Sequence, residues 1–395
     1  MKLQHSEKYA PLPFVLTTKN VLYHIPLPFC LLHSVEEIEA KIVLWQDPTY
    51  FAHLQKYQKH LCQQLHVDVS VGQGNLFVPY MTSWKEFAKE YPFVFLGLHG
   101  WDGENGTIQA LLDSLWVKYN GPWSQASRLC ANKVDTKSVI DQAHIPHVRT
   151  ARYAVIEVNS NIEKLREEIE RKIPANAWIL KPIDDWCSAG IFKFSNREQF
   201  QKILWYYRDN ESYIPAGAIH PGHGIISLPT HKVNNLLIEE FVETDTVDLE
   251  NLDIQWHTVS WYIEVTISVM WLEGRMHAFN PSQTVAAKEV LSLEEKFMWW
   301  TGINLTPPPQ PYVTAEAIQN AKKSIEKVTQ VLWLACYSRI DTFMHTQTGD
   351  LVVIEVNTLP WLTPSTVFFH QWLQEKESIY PLQLIENIIE LGKEG

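Results

Sequence analysis

The apolar positions fall into short runs of period two and longer runs of period near 3.6, so strands and helices alternate along the chain. Residues 14–16 and 21–25 predict strands. Ser34 stands as a cap ahead of Glu37, and a helix is predicted from there through Leu44. Residues 92–98 form a continuous apolar run ending at His99-Gly100, the pattern of a buried strand that opens into a loop. A helix over 107–115 follows directly on Gly103, Glu104 and Gly106.

A second unit begins near residues 127–133, with helices predicted over 137–143 and 162–172 and a strand over 178–180 that ends at Lys181-Pro182. Residues 210–235, rich in Pro, Gly and His, predict a loop or insertion. The strand 236–242 opens a third unit. An acidic segment, 243–253, precedes the strongest β run, 261–272, and a long helix covers 315–335. Strands 339–344 and 351–356 pair as a hairpin around Thr348-Gly349-Asp350. No internal repeat is visible. This order predicts an α/β chain with domains 1–125, 126–235 and 236–395, the second half having α+β character.

Composition narrows the class. At 395 residues, two or three subdomains are expected. The 46% hydrophobic and 20% charged shares are those of a globular protein. Sixteen Trp and fifteen Tyr predict a bulky aromatic core or an aromatic-lined pocket. A net charge of −12 argues against nucleic acid as partner, though not against a nucleotide held by a few lysines. The five cysteines are widely spaced and form no CxxC pair, which excludes a disulfide framework or zinc knuckle by pattern. The polar, proline-punctuated start lacks a signal-peptide core. The longest apolar run, 259–272, is broken by Glu264 and too short to cross a bilayer. No membrane partner is therefore expected, and the location reads as cytoplasmic. His220, His223 and His231, without a carboxylate or cysteine beside them, read as polar loop residues.

The hairpin carries the chemistry. Strand residues two apart share a face, which groups Arg339 with Asp341 and Glu355 with Asn357. Such a surface is either the solvated side of an edge hairpin or a site for a hard divalent cation, which takes oxygen ligands. Glu264, inside an apolar run, is either exposed at a strand edge or buried with a partner, because burial alone would be costly.

Four segments then occur in a familiar order. His99-Gly100-Trp101-Asp102-Gly103-Glu104-Asn105-Gly106 resembles the HGxxGEDG segment of D-alanine–D-alanine ligases, and Ala126-Ser127-Arg128-Leu129-Cys130-Ala131-Asn132-Lys133 resembles their ASAxAMDK segment. Arg339-Ile340-Asp341 and Glu355-Val356-Asn357-Thr358-Leu359-Pro360 are similar to their GR(I/V)D and E(I/A)NTxPG segments. The first ninety or so residues add nothing to the match. The resemblance implies an ATP-grasp fold, with an N-terminal α/β domain followed by central and C-terminal domains that clamp ATP. It also implies two Mg²⁺ ions, with Mn²⁺ as a substitute, small carboxylate and amine substrates, and room for a homodimer. By the same resemblance, Lys133 and Lys181 contact phosphates, Glu239 and the Val242 backbone hold adenine, and Glu264 holds ribose. Lys296 reaches the γ-phosphate, Asp341, Glu355 and Asn357 ligate metal, and Arg339 steadies the transferring group. His99, Glu104, Cys187, Ser188, Trp361 and Thr366 fall on the substrate side.

Three departures lie on that substrate side. The N-terminal GGxSxE segment has no counterpart, Cys187 replaces a positioning serine beside Ser188, and Trp361 replaces the glycine after NTxP. The expectation is a carboxylate–amine ligase with altered amino-acid specificity. Its rivals are a divergent D-alanine–D-alanine ligase and a nucleotide-binding protein without turnover.

Overall fold

The computed structural model describes residues 6–32, 34–66, 76–98, 100–183, 190–229, 231–250, 253–285, 303–362, 366–375 and 380–394. The chain divides into two compact units, Met1–Val94 with Ser114–Lys118, and Phe95–Asp113 with Tyr119–Gly395.

In the smaller unit, β1 (Phe14–Leu16), β2 (Leu22–His24) and β3 (Tyr80–Thr82) form an antiparallel sheet in that order. Three helices accompany it: α1 (Val35–Trp45), α2 (Pro48–Leu65) and α3 (Trp84–Glu90). Ser34 caps α1 by accepting from Glu37 N at 3.2 Å, as its position predicts. The sequence reading missed α2, which fully buries none of its residues and packs only Tyr50, Phe51 and Leu54, half-buried, against the core. Its signals are local: Asp47 accepts from the Thr49 and Tyr50 amides, and Pro48 takes the first helical position. Ser83 and Glu86 cap α3 reciprocally. Val15, Ile25, Phe29, Ile42 and Trp45 form the core of this unit.

The apolar run at 92–98 yields only two strand residues, β4 (Phe93–Val94), with β5 (Lys118–Tyr119) as partner. A side chain replaces the strand partner further on. Asn120 accepts from Leu96 N at 2.5 Å and donates to Leu96 O at 3.2 Å, so the backbone is satisfied without a ladder.

The larger unit begins with α4 (Trp101–Glu104), α5 (Thr107–Ser114), α6 (Ser124–Ala131) and α7 (Lys133–Gln142), and carries two main sheets. The strand β6 (Val148–Thr150) belongs to the second of these. The first is antiparallel in the order β7-β12-β8-β9, from β7 (Tyr153–Glu157), β8 (Trp178–Pro182), β9 (Phe192–Phe194) and β12 (Asn235–Glu240). Helices α8 (Ile162–Lys172) and α9 (Arg197–Arg208) pack on it through Leu165, Ile169, Phe200, Ile203 and Leu204. Within the predicted loop at 210–235 lies a small hairpin, β10 (Tyr213–Ile214) with β11 (Ile226–Ser227). The acidic segment also forms a hairpin, β13 (Thr246–Glu250) with β14 (Asp253–His257).

The second sheet has the order β16-β15-β19-β20-β6. Its strands are β15 (Tyr262–Leu272), β16 (Arg275–Ala278), β19 (Tyr337–His345) and β20 (Leu351–Asn357), antiparallel except where β20 runs parallel to β6. Between them lie the short pair β17 (Gln283–Val285) and β18 (Ile303–Leu305) and the helix α10 (Ala315–Val331). The chain closes with α11 (Val367–Leu373) and α12 (Pro381–Glu394). The helix predicted over 315–335 ends early because Trp333 takes a left-handed φ of 52°, which helical backbone does not allow. Ile263, Val265, Ile267 and Val269 alternate onto the face shared with Ile340, Met344, Val353, Val356 and the α10 residues Ala317, Ala321, Ile325 and Val328. The opposite face carries Thr266, Ser268, Arg339, Asp341, Glu355 and Asn357 as a polar patch.

Candidate active site

The polar face of the second sheet assembles the hairpin residues. Register places Asp341 opposite Thr266 on β15 and opposite Glu355 on β20, and Arg339 opposite Ser268 and Asn357. A bulge makes this possible. Leu351 and Val353 face the core, and the pairing shift beside Asp341 and Thr342 leaves Ile354 as the extra residue. The alternation therefore changes phase, sending Val356 to the core and Glu355 and Asn357 to the side of Asp341.

Asp341 is the centre of the group. Its Oδ1 accepts from Thr266 Oγ1 at 2.7 Å, and its Oδ2 accepts from Arg339 at 3.0 Å and from Asn357 Nδ2 at 3.1 Å. Burial opposes the Arg339 charge, but Asp341, Glu355 and Glu104 outweigh it and hold the guanidinium firmly protonated. Among the described residues, Arg339 Nε is buried with no hydrogen-bond partner, a donor available to a further acceptor. Gln371 on α11 braces the floor, donating to Thr266 O at 2.7 Å and accepting from Ser268 N at 3.1 Å.

Glu104, at the end of α4, is fully buried. Its carboxylate accepts from Gly100 N at 2.9 Å and Leu359 N at 3.1 Å, and its carbonyl accepts from Thr358 Oγ1 at 3.3 Å. Burial pushes its carboxyl up to about 7, against the lowering by those two N–H groups and Arg339. It therefore ties Thr358-Leu359, just after Asn357, to the segment around Gly100.

A second cluster lies where α7 meets the first sheet. Glu239 on β12 and Lys181 on β8 share a face, because Glu239 pairs with Ile179 two residues away. Lys181 Nζ lies 2.8 Å from Glu239 Oε2, and Lys137 Nζ lies 2.8 Å from Oε1. Burial alone would raise the Glu239 carboxyl; the two ammonium groups overcome it and hold it at about 2. Lys133 is buried at the start of α7, and its backbone N–H donates to Ile183 O at 3.2 Å, fastening the helix to the end of β8. The adjacent Glu240 points the other way and is held by Arg149 and Arg152, each at 2.5 Å. An open groove of about 560 Å³ on that side is lined by these three residues with Asp141, Thr150, Ala151, Tyr153 and Lys172. It contains none of the residues the sequence singled out.

The remaining positions fall as follows. Glu264 shares the polar face, two residues from Thr266. Val242 lies half-buried two residues past β12, Trp361 is half-buried after Pro360, and Thr366 is the N-cap of α11. His99, Cys187, Ser188 and Lys296 lie outside the described residues. The sequence reading missed Lys137, Thr266 and Gln371. Lys137 had a signal, since it stands four residues after Lys133 on one helix face. Thr266 had another, two residues from Glu264 in a strand. Gln371 had none.

Comparison with known proteins gives the fold and the family that the chain resembles. The Coxiella burnetii D-alanine–D-alanine ligase structure superposes over 100% of this chain and 88% of its own, with a TM-score of 0.61 at 16% identity. The Bacillus anthracis D-alanine–D-alanine ligase structure, complexed with ATP, covers 78% of this chain and 81% of its own, with a TM-score of 0.54 at 20% identity. The fold is thus the ATP-grasp fold. Residues 255–390 match the family described as D-ala D-ala ligase C-terminus. In sequence the chain is 25% identical over 310 residues to a D-alanine–D-alanine ligase of Acetivibrio thermocellus, covering 78% of this chain and 69% of that one. It is 27% identical over 309 residues to D-alanine–D-alanine ligase B of Clostridium tetani, covering 78% and 72%. The chain resembles the D-alanine–D-alanine ligases over most of its length.

Proposed function

We propose that the chain is an ATP-dependent carboxylate–amine ligase that works through an acyl phosphate and takes amino acids other than the D-alanine pair. The observation that carries this is Asp341, held by Thr266, Arg339 and Asn357 on a face where Glu355 stands directly opposite.

The donor set fits a divalent cation. Asp341, Glu355 and the Asn357 amide offer the hard oxygens that Mg²⁺ or Mn²⁺ takes. Among the described residues no group of three or more His, Cys, Asp or Glu side chains is disposed to hold a metal. Magnesium in a nucleotide site needs only one or two carboxylates, with phosphate oxygens and water completing its shell. When bound, two such ions offset charge on the transferring phosphoryl group.

The protein residues do the rest by holding and orienting. Lys133 and Lys181 bind phosphate oxygens, and the Val242 backbone and Glu239 address adenine. The Glu239 carboxylate has about four lone-pair directions, so its two lysine partners leave acceptor capacity. Glu264 addresses ribose, and Lys296 the γ-phosphate. One carboxylate oxygen of the first substrate attacks the γ-phosphorus and ADP leaves; the second substrate's amine attacks the acyl carbon, phosphate leaves and the amine loses a proton. Arg339 stays charged throughout and donates to the oxyanion formed in that second step. Glu104 positions the loop that carries Trp361. His99, Cys187, Ser188, Trp361 and Thr366 shape the substrate pocket, and an indole in place of a glycine fills volume that a small substrate would occupy.

The reading extends to a cytoplasmic homodimer, which light scattering tests. Among the described residues no helix is long and apolar enough to cross a membrane. The decisive assay is ADP release with MgATP over a panel of amino acids and dipeptide acceptors. Release with particular pairs, and little with D-alanine alone, is the expected result. An efficiency on D-alanine above about 10⁴ M⁻¹s⁻¹, ordinary for an enzyme on its own substrate, would favour D-alanine–D-alanine ligation instead.

A further inference from the structure

We propose that Lys137 is a positioning residue of the nucleotide site: it fixes Glu239 and leaves the buried Lys137–Glu239–Lys181 trio with a net positive charge that the triphosphate of ATP completes. This deepens the nucleotide-binding reading above and rests on it.

Position comes first. Lys137 is only 2% exposed and stands one turn past Lys133 on α7, so both lysines project from one side of the helix. Its ammonium is 2.8 Å from Glu239 Oε1, while Lys181 holds Oε2 at 2.8 Å. Each carboxylate oxygen therefore has its own cation, and the carboxylate cannot swing without breaking an ion pair. Glu239 lies on the central strand pairing of the first sheet, so fixing it fixes Lys181 relative to α7.

Charge comes second. A structural ion pair in a protein interior is usually balanced, because an excess buried charge is costly to desolvate. Two ammonium groups against one carboxylate leave one positive charge in excess. Burial depresses the Lys137 pKa and Lys181 repels it, whereas Glu239 and Asp141 act the other way. Asp141 is itself engaged by the Thr150 amide and hydroxyl, and the Tyr153 ring centre lies 5.8 Å from the Lys137 ammonium. A multiply charged oxyanion offsets the excess, and phosphate is the oxyanion the proposed reaction brings to this face.

The test compares Lys137→Met and Lys137→Arg with the wild type, using MgATP titrations and steady-state kinetics. In Lys137→Met, ATP affinity is expected to fall about tenfold or more, about 1.4 kcal/mol, as the buried ion pair with Glu239 is lost. KM for the amino-acid substrates should hold, and Lys137→Arg should recover most of the loss. A folded Lys137→Met that binds ATP like the wild type overturns the inference alone. A wild type that binds no ATP overturns the nucleotide reading and this inference with it. Should the Met variant fail to fold, lysine side-chain NMR of the wild type, assigned through Lys137→Arg, gives the answer. A Lys137 resonance that moves on adding MgATP supports the proposal, and one that stays put overturns it.

Discussion

Glu355 and Asp341 face each other across two strands, and Arg339 donates to Asp341 Oδ2 on that face. Replacing one carboxylate by its amide keeps shape and removes charge. Glu355→Gln should therefore abolish Mg²⁺-dependent ADP release while leaving the urea unfolding midpoint close to wild type; full activity would remove the hairpin from the metal site. At Glu239 the argument is about stability. Its folded pKa of about 2 lies below the ordinary 4.5, so its contribution is present above pH 4.5 and is lost as pH falls toward 2. Urea titrations from pH 5 to pH 3 should show stability falling, and Glu239→Gln should flatten that slope. An unchanged slope would mean the two lysines do not hold the carboxylate as described.

Among the elements, the hairpin of β19 and β20 was the most legible in sequence, because Thr348-Gly349-Asp350 marks the turn between two β-rich runs. Gly349 has φ of 79°, and a Cβ there would lie 2.3 Å from Ala317 O at the start of α10. Gly349→Ala should cost roughly 2 kcal/mol or more in unfolding free energy, since strain and a backbone clash act together. A loss within error would show that the turn and α10 are less tightly packed. The bulge at Ile354 was not legible. It is a matter of pairing between strands, and no residue type announces it, yet it places Glu355 beside Asp341. The helix α2 escaped for a different reason, since it fully buries no residue and its clearest signals are its cap and proline. The run at 92–98 misled because apolarity marks burial rather than pairing, and Asn120 serves its backbone there instead.

For the whole molecule, the family motifs were readable because their chemistry is carried by residue identity at fixed spacing. Lys133, Lys181, Glu239, Arg339, Asp341, Glu355 and Asn357 lie within one compact unit, the first on helix α7 and the others on the two main sheets. What joins them was only partly readable: Lys137 and Thr266 had local signals and Glu104 stood in a motif, but Gln371 had none, and the contacts all four make come from distant segments. The central claim is that this unit activates a carboxylate as an acyl phosphate. The most direct measurement uses the best substrate of the ADP-release panel, labelled with ¹⁸O in its carboxylate, and mass spectrometry of the inorganic phosphate. The account predicts one ¹⁸O transferred to phosphate for each ADP released. Phosphate free of label alongside ADP release, or no ADP release with any carboxylate and amine pair, would contradict it.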